Sequence, residues 1–335
     1  MDMKIFVTVL IVTYLLPLVL WTTGAVLIDL GRGGLRGWLL ALGWLSLIAG
    51  VLAFGQSLGA SAIVITCLCF LIWGWWIQQK PSHDRDWDPN FARLPTCEIK
   101  NGFLLVRNCR NTQYRSLEDF DARYENRTYC LDQLSGVDMA FLFWGSKWIS
   151  HPMIIFDFDG ETLCVSIEVR YRRGQKYSVL KGLYRQYEMM YVVSDERDAI
   201  LRRTRHSTNQ ECYLYRLQMN HEDRIQFLTE YVEATNQLAE KPRWYNVVTD
   251  NCTTSIAMQR KRQVFWDWRM FINGSLDELM YERKHLVQSL EFAELKKQSL
   301  INQRANNASH ENFSREIRHG LPGFESTELR DVETE

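Results

Sequence analysis

The sequence predicts an α+β protein held by N-terminal transmembrane helices, and three observations carry that reading. Residues 5–77 are dominated by apolar side chains with few charges. A strand-like hairpin follows, HPMIIFDF-DG-ETLCVSIEVR. Beyond it, HEDRIQFLTEYVEATNQLAE repeats apolar residues at helical spacing. A formal net charge of −1 over 335 residues gives no global attraction to nucleic acid. Eight cysteines are scattered without CxxC pairs or finger spacing, so neither a disulfide framework nor a structural metal site is indicated. No motif calls for a cofactor.

The apolar part divides into three runs, residues 5–28, 38–55 and 60–77. The first is long enough to cross a bilayer at roughly 20 residues per span. Its apolar core is too long for a signal peptide, and no small-residue cleavage site stands out. Trp73, Trp75 and Trp76 fit an aromatic belt at the last exit. The reading is a three-span anchor over residues 1–78, with two spans plus an interfacial segment as the competitor. Arg32 and Arg36 in the first loop, against Lys4 at the start, lean weakly toward a cytoplasmic soluble part.

A polar, Pro-containing linker (79–95) leads into an α+β domain with C-terminal helices (96–305) and a polar tail (306–335). GFLLVRN, RTYCLDQL, VDMAFLFWG, YEMMYVV and CYLYRL read as strands with turn residues between them. Ile225, Leu228, Tyr231, Val232, Thr235 and Leu238 form the stripe of a helix that stops before Pro242. Ser275 and Glu278 have the spacing of a capping box, opening a helical stretch to about Arg304.

The hairpin fixes a register. Asp159-Gly160 suits a two-residue type I′ turn, in which both positions need positive φ. Phe158 then faces Glu161, and counting back along both strands His151 faces Glu168. Directly opposed residues share a face, so an imidazole is set beside a carboxylate by backbone geometry alone. One slipped residue would separate them.

YNVVTDNCTTSIAM places Cys252 after Asp250 and Asn251, either of which can cap a helix. A thiol in a first helical turn meets free N–H groups and the positive end of the dipole, which lower its pKa and favour the thiolate. The same N–H groups can stabilise an oxyanion, with a histidine as base and a carboxylate to orient it. The plain alternatives stand beside this. Cys252 could be a small buried residue, His151 the end of a loop, and His151–Glu168 a surface pair worth tenths of a kcal/mol. His83, His206, His221, His285, His310 and His319 lie in the linker, beside turns or in the C-terminal part.

VRNCRNTQYRS, FLFWGSKWISHPMIIFDF, SIEVRYRRGQKYSVLKGLYRQYEMMYVVSDERD, PRWYNVVTDNCTTSI and FSREIRHGLPG resemble a proteobacterial membrane-protein family whose domain is named after the lipoprotein N-acyltransferase Lnb. The resemblance implies a permuted papain-like (NlpC-type) cysteine-enzyme domain, histidine first and cysteine last, and His151, Glu168, Cys252 stand in that order. It implies Cys252 as nucleophile and His151 as base; Glu168 as the orienting group rests more on register. Tyr187, Glu188, Asp195 and Arg197 match further family positions and either line the site or form a buried polar network, the second being favoured. Asn251 precedes the nucleophile, and Tyr245 either donates to an oxyanion or packs. The implied chemistry is acyl transfer from membrane phospholipids through a thioester, with lipoproteins as acceptors and no nucleic acid involved. A cysteine hydrolase of the cell envelope and a non-catalytic scaffold on the same fold are the alternatives. The implied location is the bacterial inner membrane with a periplasmic soluble domain, where Cys252 must lack a close thiol partner. The multi-span anchor departs from the named Lnb enzymes, so an identical substrate does not follow.

Overall fold

The computed structural model describes residues 3–324 except 147, 208–209, 248, 250–266, 268 and 270–272. The chain forms two compact units. One contains Met1–His83 with Lys176–Glu188 and Trp244–Val247, and the other holds the remainder.

In the first unit three helices are long and apolar enough to cross a membrane: Met3–Leu30, Gly34–Phe54 and Leu58–Ile77, of 28, 21 and 20 residues. The first comprises α1 (Met3–Gly24) and a wider π-helical turn, Ala25–Leu30; the others are α2 and α3. Three spans therefore replace the two-span alternative. Leu15, Val26, Trp44, Ile48, Ile65 and Cys69 pack between them, whereas Leu16, Leu20, Leu39 and Ile63 point outward. Lipid solvates such outward residues, and the helix satisfies its own backbone groups. Ser57 caps α3, accepting from the Ala60 N–H at 3.2 Å.

Two segments assigned by sequence to the soluble domain belong to this unit instead. Tyr184 is buried against Ala25 and Ile28, with Trp21 and Trp76 alongside. The Asp29 carboxylate accepts from Trp76 Nε1 at 2.7 Å and from Gln186 Nε2 at 2.5 Å. These bonds draw Lys176–Glu188 onto the helix ends, and the Tyr187 carbonyl brings Trp244–Val247 with it by accepting from Tyr245 N–H at 2.9 Å.

The second unit is α+β. Its strands are β1 (Thr96–Lys100), β2 (Phe103–Arg110), β3 (Gln113–Tyr114), β4 (Phe120–Asp121), β5 (Tyr124–Cys130), β6 (Leu134–Trp144), β7 (Ser150–Phe158), β8 (Glu161–Arg170), β9 (Glu188–Ser194) and β10 (Gln210–Arg216). Among the described residues, eight of them form one sheet in the order β1-β2-β9-β8-β7-β6-β10, with β5 also on β2. The sheet is mixed rather than wholly antiparallel, because β2 meets β9 in parallel at Arg110 and Ser194.

The β7–β8 hairpin closes as the turn chemistry requires. Asp159 and Gly160 have φ of 51° and 95°, and Phe158 pairs with Glu161 in a ladder continuing to Met153 and Ser166. Every residue of β7 is buried, so both faces are covered. On one face Met153, Ile155 and Cys164 join Ala199, Ile200, Ala305 and Ile317. On the other, Phe156 meets Phe227 and Tyr231 of α5 (His221–Glu240).

The first of those faces is closed by elements that the sequence reading missed. Helix α4 (Glu196–Thr204) is short and charged. The stretch expected to run as helix to Arg304 breaks into α6 (Leu276–Glu282), α7 (Phe292–Gln298) and α8 (Asn302–Asn307). Ser275 makes no side-chain cap at α6, and the Glu278 N–H goes to Asp277 Oδ1 at 2.9 Å, so the capping box does not form. The expected linker ends early: Phe91 is buried with Met190 and Val192, and Arg170 Nε donates to its carbonyl at 2.9 Å. Nor is the tail polar throughout. Phe313 and Ile317 of α9 (Phe313–Arg318), with Leu321 and Phe324, are core.

Arg318 locks α9 in place. It donates to Asp138 Oδ2 at 2.9 and 2.8 Å, and to Glu196 Oε1 at 2.6 Å, all buried. Arg216 completes the network, reaching Asp138 at 2.5 Å and Asp157 at 2.8 Å. Removing one partner strands buried charge, so Arg318→Ala is expected to destabilise the protein by about 3–5 kcal/mol. Denaturant unfolding of the detergent-solubilised protein checks this, and an unchanged midpoint would contradict the assignment.

Candidate functional site: a buried histidine–glutamate pair

His151 is the second residue of β7 and Glu168 stands near the end of β8. Two steps beyond the last laddered pair, their side chains meet on the sheet face that α4 covers. His151 Nε2 lies 3.0 Å from Glu168 Oε1. The same oxygen accepts from Ser166 Oγ at 3.0 Å and Arg203 Nη2 at 2.8 Å. His151 and Glu168 side chains are only 7% and 12% exposed. This is an enclosed polar cluster, not the surface pair that alternation alone allowed.

Burial pushes the Glu168 carboxyl up, but the positive charge of Arg203 and its bond with His151 outweigh this and hold it well below its ordinary 4.5. An ionised carboxylate can only accept, so Nε2 carries the proton. With Nε2–H committed to Glu168, Nδ1 is the ring nitrogen left to exchange a proton with a substrate or a nucleophile. The ring is further set by its strand. Ser150, one residue earlier, exchanges bonds with Asn273: its N–H donates to Asn273 Oδ1 at 2.7 Å, its hydroxyl to the Asn273 carbonyl at 2.7 Å, and Asn273 Nδ2 donates back at 2.6 Å. The Trp144 ring sits 6.0 Å from the imidazole, centroid to centroid.

Cys252 and Asn251 lie outside the described residues. Among the described thiols of the second unit, burial pushes Cys97, Cys109 and Cys212 up to about 12. Burial also raises Cys164 well above its ordinary 9.0. These four stay protonated at neutral pH and are poor nucleophiles.

The other sequence candidates fall elsewhere. Asp195 caps α4, accepting from the Arg197 N–H at 2.9 Å, and ties Arg127 at 2.8 Å. Arg197 donates to Asn111 Oδ1 at 3.2 Å. Asp195 and Arg197 thus hold the start of α4, whereas Arg203 at its end meets Glu168. Tyr187, Glu188 and Tyr245 belong to the first unit. The Tyr187 hydroxyl donates to the Lys176 carbonyl at 2.9 Å and accepts from the Ser178 N–H at 3.0 Å. A cavity of about 1290 Å³ opens at the turn end of the hairpin, lined by Arg127, Asp157, Thr162, Arg216 and Arg318 among others; His151 and Glu168 do not line it. No cluster of three metal-ligating side chains occurs among the described residues.

Ser166, Arg203 and the Ser150–Asn273 clamp were missed in the sequence. Ser166 alone carried a signal, lying two residues before Glu168 on the same strand face. Arg203 required recognising α4, and Asn273 is 123 residues from Ser150.

Three spans followed by an α+β domain define an envelope protein anchored in the inner membrane. The family model of the Lnb N-terminal periplasmic domain matches residues 120–261. No curated protein and no solved structure matches the chain. The soluble domain is accordingly periplasmic, which with three spans puts the N-terminus on the cytoplasmic side. The first-loop arginines, which leaned the other way, are a two-charge bias and do not set the topology.

Because the Glu168 carboxyl is depressed in the folded state, its contacts stabilise fully above its ordinary 4.5 and are lost as pH falls through the folded value. Wild type should therefore lose stability on acidification below that point, and Glu168→Gln should show a shallower loss. Equal acid slopes in unfolding titrations would contradict an ionised Glu168.

Proposed function

We propose that the protein is a membrane-anchored thiol acyltransferase that works through Cys252, His151 and Glu168. The observation that supports it is the 3.0 Å bond between His151 Nε2 and Glu168 Oε1. A carboxylate held ionised and hydrogen-bonded to one ring nitrogen fixes the tautomer and stabilises the imidazolium formed during proton transfer. Arg203, 2.8 Å from the same oxygen, helps to keep that carboxylate charged against burial.

The reaction is a double displacement. His151 Nδ1 takes the Cys252 proton, and the thiolate attacks the carbonyl of a phospholipid acyl ester. The C–S bond forms, the ester C–O bond breaks, and the departing alkoxide takes the proton back from the imidazolium, leaving a lysophospholipid and an acyl-thioester. An amine, with the N-terminal amino group of a lyso-form lipoprotein as the proposed acceptor, then attacks the thioester. An amide forms, the amine gives up a proton, and the expelled thiol is restored. Thioesters suit amine acceptors because the thiolate leaves readily, and spans in the same chain keep the domain beside its lipid donor.

The test is lipoprotein N-acylation in cells that lack their own N-acyltransferase. Wild type should restore the N-acyl form. Cys252→Ala and His151→Ala should leave only the lyso form, and Glu168→Gln should slow transfer by about 10²-fold or more. Mass spectrometry should find an acyl chain on Cys252. An active Cys252→Ser protein without a thioester would overturn the reading, and free fatty acid as the product would replace transfer by hydrolysis.

A further inference from the structure

We infer that the loop Lys176–Leu183 is a lipid-docking element that seats in the periplasmic leaflet of the bilayer crossed by α1–α3. The inference is independent of the acyl-transfer reading, since it concerns the first unit alone.

Four apolar side chains of this loop face outward. Tyr177, Val179, Leu180 and Leu183 are 45%, 60%, 57% and 37% exposed, and Lys176 and Lys181 are exposed beside them. Isolated exposed apolar residues are ordinary, but four within seven positions form a patch with an expected occupant. The loop is also too well braced to bury them by collapse. The Tyr187 hydroxyl bridges Lys176 and Ser178, the Gly182 N–H donates to the Ser178 carbonyl at 2.9 Å, and the Gly182 carbonyl accepts from the Val247 N–H at 3.1 Å.

Its position identifies the occupant. The C-terminal ends of α1 and α3 lie at the same membrane face, because an up-down-up path returns there. The residues directly after the loop are fastened to those two ends. The Tyr184 hydroxyl donates to the Trp21 carbonyl at 3.3 Å, and a Cβ on Gly24 would come within 1.8 Å of that hydroxyl, so only glycine admits the ring. The Arg185 guanidinium lies 4.1 Å over the Trp76 ring and donates to the Ile77 carbonyl at 2.9 Å. The apolar patch is therefore continuous with the span ends and their tryptophans, at the depth where aromatic and aliphatic side chains enter the leaflet. The two lysines can reach the headgroups while their stems follow the apolar surface, and they favour anionic lipid.

The experiment places an environment-sensitive fluorophore at Leu180→Cys or Val179→Cys in the full-length protein, with Cys67, Cys130 and Cys252 replaced by Ser. The protein is reconstituted in nanodiscs of phosphatidylethanolamine and phosphatidylglycerol. Glu118→Cys, on an exposed turn of the second unit, serves as the water-facing comparison. Nitroxide-labelled acyl chains should quench the 179 and 180 labels about threefold more than aqueous iodide does, with the reverse order at 118. Iodide dominating at both loop positions would overturn the proposal. So would shielding from both quenchers, which would mean that protein covers the patch. Neither readout involves catalysis, so failure of the acyl-transfer reading would leave this result standing.

Discussion

One carboxylate oxygen organises the soluble domain. Glu168 Oε1 collects His151 from β7, Ser166 from its own strand and Arg203 from α4. Each donor fixes a different feature. The His151 bond can be made only in the register that the Asp159-Gly160 turn sets. The Ser166 bond sets the carboxylate's rotamer, and Arg203 brings the end of α4 down onto the sheet. A buried carboxylate without these donors would take up a proton. Arg203 has a second consequence. It shares the charge of Glu168 with the imidazole, which tempers how far the carboxylate alone can raise the basicity of His151.

The opposite end of the same hairpin carries a second charged network, and the two have different tasks. Asp138, Asp157, Glu196, Arg216 and Arg318 join β6, β7, β10, α4 and α9. Two guanidiniums tie three largely buried carboxylates from separate elements, which suits fixing the arrangement of those elements rather than reacting. Helix α4 is common to both, with Glu196 at its start in one network and Arg203 at its end in the other. The helix is therefore braced at both ends, and the imidazole's environment is coupled to the seating of the C-terminal segment.

Much of this was legible in the sequence where a short-range rule applied. A two-residue turn with two positive-φ positions fixes a register, and register placed His151 opposite Glu168 without any knowledge of the fold. Length and apolarity marked the three spans. What escaped depended on distant partners. Helix α4 is nine residues of mostly charged sequence, and its apolar content, Ala199, Ile200 and Leu201, makes sense only against the sheet. The C-terminal stretch reads as polar because its four core residues are interspersed with charged and amide side chains, and Arg318 looks solvated until Asp138 and Glu196 are found facing it. The segment Lys176–Glu188 was placed in the soluble domain because its hydrogen-bonding partner, Asp29, lies more than a hundred residues earlier. The expected capping box failed for a local reason: Asp277 took the Glu278 N–H that the Ser275 hydroxyl would have bonded.

The central claim is that His151, oriented by Glu168, activates Cys252. The most direct measurement is the pH dependence of Cys252 alkylation by iodoacetamide in wild type and His151→Ala. The account predicts a thiol that reacts rapidly at neutral pH in wild type and slows at least tenfold in the variant, with its titration moving toward the ordinary thiol value of about 8.5. Identical rates in the two proteins, both following an ordinary thiol, would contradict it.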